Sequence, residues 1–231
     1  PDRSTRAGRG WGLPPFVPWR LRAAHYEPFI ATVRANLAGV VGLRIDHVMG
    51  LFRQYWIPEG ASTAEGAYVT FPAEELLAII ALEATRAGAF VVGEDLGTVQ
   101  EGVREAMERW GVLGTKGVLF EDGPPAGYPG MALATVTTHD LPTVAGLWSG
   151  AGDERLRQRL AEVTAAVDAD PVEAVVERVH TQLLASPSLV RLMTTDDLCG
   201  AVEQPNQPGT DVDTNWSRPL PCAVDDVLSS A

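Results

Sequence analysis

The sequence predicts an α/β fold in which parallel strands alternate with helices, and three observations support that class. Short apolar runs end abruptly in charged residues, as strands buried within a parallel sheet do. Segments with the helical spacing of apolar residues separate these runs. No short turn of the kind that closes a β-hairpin joins two of the runs, which favours parallel pairing through right-handed crossovers.

The elements follow one another in a regular order. Residues 1–18 are rich in Arg, Gly and Pro and predict an irregular loop. A helix over 26–37 then leads into a strand over 40–46, which we expect to be buried on both faces because it is apolar almost throughout. Further helices are predicted over 72–87, 98–109, 154–167 and 171–184, and further strands over 89–93, 117–120, 132–138 and 189–193.

One helix start and the organisation of the chain can also be predicted. Thr98 and Glu101 form a capping-box pattern, which predicts that the third helix begins at Thr98. Residues 201–231 are rich in Pro, Asn and Asp and are expected to form a tail that wraps the outside of the βα units in 19–200. No repeat or long linker divides the chain, so residues 1–231 are predicted to form a single domain.

Composition excludes several classes of partner. The 18 Lys and Arg against 30 Asp and Glu give a net charge of -12, which would repel nucleic-acid backbones and anionic membrane surfaces. No apolar run approaches the roughly 20 residues that span a bilayer. Cys199 and Cys222 have no second Cys or His at metal-ligand spacing, so we expect reduced thiols and a cytoplasmic protein.

Charged residues lie at the carboxyl ends of three of the predicted strands. They are Arg44, Asp46 and His47 at the end of the first, Glu94 and Asp95 after the second, and His139 and Asp140 after the fourth. The carboxyl ends of parallel strands meet at one face, so we expect these groups to lie together. Arg44 and Asp46 are two residues apart and should point to the same side. Repulsion among the carboxylates should raise the pKa of at least one, and a protonated acid beside an ionised carboxylate is what glycosidic-bond cleavage requires.

Other interpretations of the same residues stay open. Any one of these pairs by itself is more often a helix cap or a solvated surface group. Asp46, His47 and His139 could instead bind a divalent metal in a hydrolase, although the sequence has no HxH or HExxH pattern to support a metal site.

Longer motifs surround these residues. Residues 42–58 read GLRIDHVMGLFRQYWIP, residues 93–97 read GEDLG and residues 137–143 read TTHDLPT. Shorter strings accompany them, GWGLPPF at 10–16, GAYVTFP at 66–72 and PNQPGT at 205–210. With these motifs in this order, nearly the whole chain resembles the 4-α-glucanotransferases, also called amylomaltases or disproportionating enzymes, which form glycoside hydrolase family 77. RIDH alone would indicate only the wider α-amylase clan.

The resemblance implies a retaining transglycosylase on a (β/α)8 TIM barrel, acting in glycogen, starch or maltodextrin metabolism. Asp46 of RIDH would be the nucleophile, and Glu94 of EDLG would be the general acid and base. Asp140 of THD would stabilise the oxocarbenium-like transition state. Arg44 would keep Asp46 ionised, while His47 and His139 would bind sugar hydroxyls. The implied partners are maltooligosaccharides and α-1,4-glucans, and neither a metal nor a cofactor is implied.

Transfer rather than hydrolysis requires an acceptor site that binds sugar and excludes water. Sugar faces stack on aromatic rings, so Trp11, Tyr55 and Trp56 are candidates for that site, with core packing as the alternative for Tyr55 and Trp56.

The resemblance begins in the middle of the family pattern, so the chain corresponds to the carboxyl-terminal portion of the barrel. We therefore expect the 231 residues alone to be unstable or inactive. An α-glucan hydrolase of the same clan and an inactive fragment of the enzyme remain alternatives to the transferase.

Overall fold

The computed structural model describes residues 13–210, 213–223 and 225. The chain divides into two compact units, Pro1–Gly114 and Thr115–Ala231. Strand β5 (Val112–Gly117) begins in the first unit and ends in the second. Among the described helices, none is long and apolar enough to cross a membrane.

The first unit alternates helices with parallel strands. Its helices are α1 (Pro18–Ala23), α2 (Glu27–Leu37), α3 (Ala73–Ala87) and α4 (Val103–Arg109), and its strands are β1 (Gly42–Ile45), β2 (Arg53–Trp56), β3 (Ala67–Thr70) and β4 (Phe90–Gly93). β4 lies between β1 and the start of β5 and pairs with both in parallel. The predicted alternation of helices with parallel strands is therefore confirmed here.

Helix α3 covers this sheet with one face. Leu76, Leu77, Ile80 and Ala84 recur at helical spacing and are all buried. The helix ends where Gly88 takes the left-handed conformation, at φ 65°, that closes a helix without steric penalty. The core beneath α3 also contains Val91 of β4.

The second unit continues the same pattern of strands and helices. Its elements are β6 (Ala132–Thr135), α5 (Val144–Trp148), α6 (Glu154–Thr164), α7 (Val172–Leu184), β7 (Val190–Leu192) and α8 (Thr195–Leu198). β6 lies between β5 and β7 and pairs with β7 in parallel. A separate hydrophobic core brings together Leu147, Leu160 and Leu183, from α5, α6 and α7.

The prediction that the first strand is buried on both faces is wrong. In the described sheet β1 has β4 as its hydrogen-bonded neighbour on one side and none on the other. Arg44 is exposed, and Val41, just before the strand, has 79% of its surface exposed. Residues 40–46 are therefore mostly apolar in sequence without being buried on both faces of the described sheet.

The chain also contains an antiparallel hairpin that the sequence did not indicate. β2 and β3 pair with Arg53 opposite Thr70 and Trp56 opposite Ala67. They are separated by ten residues, including a short 3₁₀ turn at Thr63–Glu65 that Ser62 and Glu65 close as a capping box. This hairpin follows β1 and precedes α3, so it is an insertion in the connection within one βα unit.

The two cysteines are joined in the structure. Cys199 and Cys222 form a disulfide, with their Cα atoms 6.1 Å apart. The prediction of reduced thiols is therefore wrong, because it considered metal-ligand spacing and not the return of the tail toward α8. The cytoplasmic location inferred from reduced thiols loses that support.

Candidate active site

The end of β1 carries the first group of predicted site residues. Arg44 lies on the strand and Asp46 follows its last residue, and Arg44 Nη1 lies 2.7 Å from Asp46 Oδ1. The prediction from strand alternation that these two charges are neighbours is confirmed. Both side chains are open to solvent, with 43% and 77% exposed, so the pair contributes little to folding and is free to act on a ligand.

His47 gives the chain a sharp turn after Asp46. Its backbone lies in the left-handed region, at φ 46° and ψ 61°, which is uncommon for a residue with a Cβ atom. In this conformation the His47 backbone N–H donates a hydrogen bond to Glu94 Oε2 at 2.8 Å. The turn therefore holds the backbone of His47, next to the predicted nucleophile Asp46, in a hydrogen bond with the side chain of the predicted acid, Glu94.

Glu94 is held at both carboxylate oxygens. Besides the His47 N–H at Oε2, the Leu96 N–H donates to Oε1 at 2.7 Å. Each carboxylate oxygen has two lone pairs, so each keeps one free for a proton or a ligand. The two bonds fix the plane of the carboxyl group without using up its capacity for proton transfer.

Strand pairing places Asp46 and Glu94 in corresponding positions. β1 and β4 run parallel with Ile45 opposite Gly93, so the next residues along the two chains are Asp46 and Glu94. The ladder continues beyond the strands, because the Glu94 N–H donates to Ile45 O and the Val48 N–H donates to Glu94 O, both at 2.9 Å. Neighbouring strands lie about 4.8 Å apart, so these two carboxylates start from adjacent backbone positions.

Asp95, which the sequence predicts to lie with the other charged groups at the strand ends, is buried instead. It is 1% exposed, and Arg104 of α4 holds it, with Nε 2.7 Å from Oδ2 and Nη2 donating to the Asp95 carbonyl at 3.2 Å. A Cβ atom at Gly114 would come within 3.4 Å of Asp95 Oδ1. The alternation of side chains after β4 thus directs Glu94 and Asp95 to different surroundings, one partly open and one buried.

In the second unit, His139 and Asp140 form another exposed group after β6. His139 Nε2 lies 3.5 Å from Asp140 Oδ2, and their side chains are 45% and 48% exposed. Asn206 Nδ2 donates to Asp140 Oδ1 at 2.6 Å, and the Trp216 ring lies 5.2 Å from the His139 ring. Asn206 belongs to the PNQPGT motif, for which the sequence indicated no partner, and Trp216 follows that motif along the chain.

The three aromatic candidates are in different situations. Tyr55 is exposed on the outer face of the β2–β3 hairpin, where its ring lies 5.0 Å from that of Tyr68. Trp56 faces the other way and packs against Phe71, with ring centroids 6.3 Å apart. Trp11 lies outside the described residues.

The structure therefore brings Arg44, Asp46, His47 and Glu94 together in one unit, and it brings His139 and Asp140 together in the other. The convergence of all three carboxylates on one sugar stays a prediction. In the described part of the chain, no group of three His, Cys, Asp or Glu side chains is arranged to hold a metal ion.

Comparison with known proteins gives consistent matches. The family model described as 4-alpha-glucanotransferase, glycoside hydrolase family 77, matches residues 1–224. The 4-alpha-glucanotransferases of Mycobacterium bovis and Mycobacterium tuberculosis are each 39% identical over 259 residues, covering 95% of this chain and 36% of the relative.

Solved structures agree in fold. The crystal structure of amylomaltase from Corynebacterium glutamicum superposes with a TM-score of 0.85 at 33% identity, over 95% of this chain and 37% of that one. Amylomaltase from Streptococcus agalactiae in complex with acarbose gives a TM-score of 0.77 at 22% identity, over 93% of this chain and 44% of that one. The predicted resemblance to part of an amylomaltase barrel is confirmed, and the chain spans less than half the length of these relatives.

Proposed function

Because this chain belongs to the 4-alpha-glucanotransferase family, glycoside hydrolase family 77, we propose that it is part of an enzyme that transfers α-1,4-glucan segments between maltooligosaccharides or to glucose. The transfer proceeds by two displacements at the anomeric carbon, so the product keeps the configuration of the donor. Transfer to a sugar hydroxyl distinguishes this reaction from hydrolysis by the same machinery.

In the first half-reaction, Asp46 attacks the anomeric carbon of the donor and forms a covalent glucosyl ester. Glu94 gives its proton to the glycosidic oxygen as the bond to the leaving sugar breaks. The Arg44 guanidinium lies 2.7 Å from Asp46 Oδ1 and helps to orient the attacking carboxylate.

In the second half-reaction, Glu94 takes the proton from a 4-hydroxyl of the acceptor glucan. That oxygen attacks the anomeric carbon and releases Asp46, which restores both carboxyl groups to their starting states. Asp140 and His139 hold hydroxyls of the same sugar and favour its flattened transition state. Trp11 and Tyr55 supply aromatic faces on the acceptor side, while Trp56 supports the hairpin from within.

One observation carries this proposal. The backbone N–H of His47, the residue directly after Asp46, donates to the Glu94 carboxylate at 2.8 Å, so the predicted nucleophile and the predicted acid are held by one short turn. A pair of carboxyl groups in a fixed relation is the requirement that retaining chemistry places on a protein.

The test is product analysis with maltotriose, using the complete protein in which these 231 residues occur. Transfer predicts glucose and a ladder of longer maltooligosaccharides, with a constant number of reducing ends. Asp46→Asn should lower the rate by a factor on the order of 10³ or more, since it removes the nucleophile. Glu59→Gln, at an exposed acidic position in the same unit, is the control and should leave the rate unchanged.

Two other results would contradict the proposal. A steady rise in reducing ends without longer products would indicate a glucan hydrolase. An Asp46→Asn variant with near-normal transfer would show that the nucleophile lies elsewhere.

A further inference from the structure

A buried carboxylate in the second unit lies at the base of the segment that carries His139 and Asp140. Asp197, on the short helix α8, is 1% exposed. Its Oδ1 accepts the backbone N–H of Val144 at 2.7 Å. Its Oδ2 accepts the hydroxyl of Thr194 at 2.7 Å and that of Thr137 at 3.2 Å. None of the reaction steps proposed above uses this group.

Two of these donors bracket the segment 138–143. Thr137 precedes it and Val144, the first residue of α5, follows it, so one carboxylate holds both ends. A second tie reinforces the far end, because the Thr143 hydroxyl donates to the Ala201 carbonyl, three residues after α8. The middle of the segment carries His139 and Asp140, whose side chains are about half exposed to solvent.

The chemistry of an ionised carboxylate suits this position. It accepts several hydrogen bonds at once, and here its donors come from three separate stretches of chain. Hydrogen bonds to an ionised group are shorter and stronger than those between neutral groups, so they restrict the bracketed segment more than hydroxyl or amide partners would. Burying a charge is costly without such partners. An apolar side chain could fill the same space, so packing does not explain why an acid stands here.

We propose that Asp197 is a positioning residue, which fixes both ends of the 138–143 segment and thereby sets the orientation of His139 and Asp140 toward the sugar. This proposal rests on the proposed function, because it assumes that His139 and Asp140 contact the substrate. A misplacement of reacting groups by about 1 Å can lower a rate by about 10².

The test compares three variants of the complete protein. Asp197→Ala removes every acceptor at this point. Asp197→Asn keeps an oxygen for the Val144 N–H and offers an amide N–H to the two threonine hydroxyls, which can accept as well as donate. Because these bonds are neutral and weaker, Asn should restore most of the arrangement but not all of it. Asp196→Ala is the matched control, since it removes the neighbouring acid on the same helix, for which no side-chain partner is seen in the described residues.

Two readouts separate positioning from general stability. Amide hydrogen exchange, measured without substrate, should become at least about tenfold faster at residues 138–141 and 143 in Asp197→Ala while α6 and α7 stay protected. In maltotriose transfer, kcat of Asp197→Ala should fall by about 10² with a smaller change in KM. Asp197→Asn and Asp196→Ala should stay within a few-fold of the unaltered protein in both readouts.

Faster exchange throughout α6 and α7, or an unchanged kcat in a folded Asp197→Ala protein, would overturn the proposal. If Asp197→Ala does not fold, Thr137→Val serves in its place. It should speed exchange at 138–140 and lower kcat several-fold, and no change in either would overturn the proposal. Absence of transfer by the unaltered protein would count against the proposed function, whereas the exchange measurement tests the role of Asp197 independently of it.

Discussion

Single residues at the end of β1 combine an unusual backbone with exposed charge. His47 adopts a left-handed conformation that costs a residue with a Cβ atom about 1–2 kcal/mol. What this conformation provides is the direction of one N–H bond, toward Glu94. Strain of this kind persists where the surrounding structure requires it, and it is concentrated at functional sites.

This interpretation predicts the effect of substitutions at position 47. Asn tolerates the left-handed region better than most residues, while Val, with its branched Cβ, does not. His47→Val should therefore lower the free energy of unfolding by about 1–2 kcal/mol more than His47→Asn does. Urea unfolding measures the difference, and the exposure of His47 limits any contribution from packing. Equal stabilities for the two variants would show that the turn relaxes and that no particular conformation is required.

Between elements, the contact of α2 with α3 depends on a charged group at their interface. Glu83 of α3 is 5% exposed and accepts from Arg34 of α2 at 2.7 Å and from Arg86 of its own helix at 2.8 Å. The hydrogen bond from the Arg34 guanidinium is the main cause that lowers the pKa of the Glu83 carboxyl, and burial opposes it. The charge of Arg34, and the hydrogen bond and charge of Arg86, lower the pKa further, so it lies below its ordinary value.

A depressed pKa makes this contribution to stability depend on pH. The carboxylate stabilises the folded state fully above the ordinary value of 4.5, and this stabilisation is lost as the pH falls through the lowered folded-state pKa. The urea midpoint of the unaltered protein should exceed that of Glu83→Gln at pH 7, and the gap should close in acid. Glu59→Gln, at an exposed position, should show no such dependence. A gap that stays constant down to the most acidic folded condition would contradict the assignment.

The elements also show which features local sequence could predict. Helices with a full apolar face, such as α3 and α7, begin and end within one or two residues of their predicted limits. Helix α4 begins at Val103 rather than at Thr98. Gly102 has a left-handed conformation, at φ 85°, which cannot be part of an α-helix, so residues 98–102 continue the loop after β4. The capping-box pattern at Thr98 was therefore misleading.

The third strand is predicted over 117–120, whereas β5 lies earlier, at Val112–Gly117. The prediction rests on the apolar residues Val118 and Leu119, which are buried but lie in the turn after β5. The strand itself, Val112–Gly117, contains Gly, Thr and Lys, which hid its character. The antiparallel hairpin was missed because its pairing joins residues across a ten-residue connection, and local periodicity carries no information about register.

At the scale of the whole molecule, the candidate site could be predicted only in part. Strand alternation was sufficient for the Arg44–Asp46 pair, and the charged ends of strands indicated Glu94, His139 and Asp140. The support of these residues could not be predicted. Asn206 reaches Asp140 across 66 positions and Asp197 reaches Thr137 across 60, and contacts of that span depend on the folded path of the chain.

The whole molecule also sets the conditions under which the account can be tested. The chain covers 36% to 37% of the mycobacterial relatives and of the Corynebacterium glutamicum structure, so the measurements of activity use the complete protein. The central claim is that Asp46 forms a covalent bond to sugar while Glu94 manages the proton. The first step can be isolated in a variant that lacks the Glu94 acid, provided that the sugar donor has a leaving group that departs without protonation.

The most direct measurement is the mass of a trapped intermediate. The complete protein with Glu94→Gln is mixed with α-maltotriosyl fluoride, whose leaving group departs without protonation, and is then quenched and digested. We predict that a maltotriosyl group accumulates on the peptide containing Asp46, and that Asp46→Asn in the same background abolishes it. A folded protein that forms no adduct, or that carries the sugar on another carboxylate, would contradict the account.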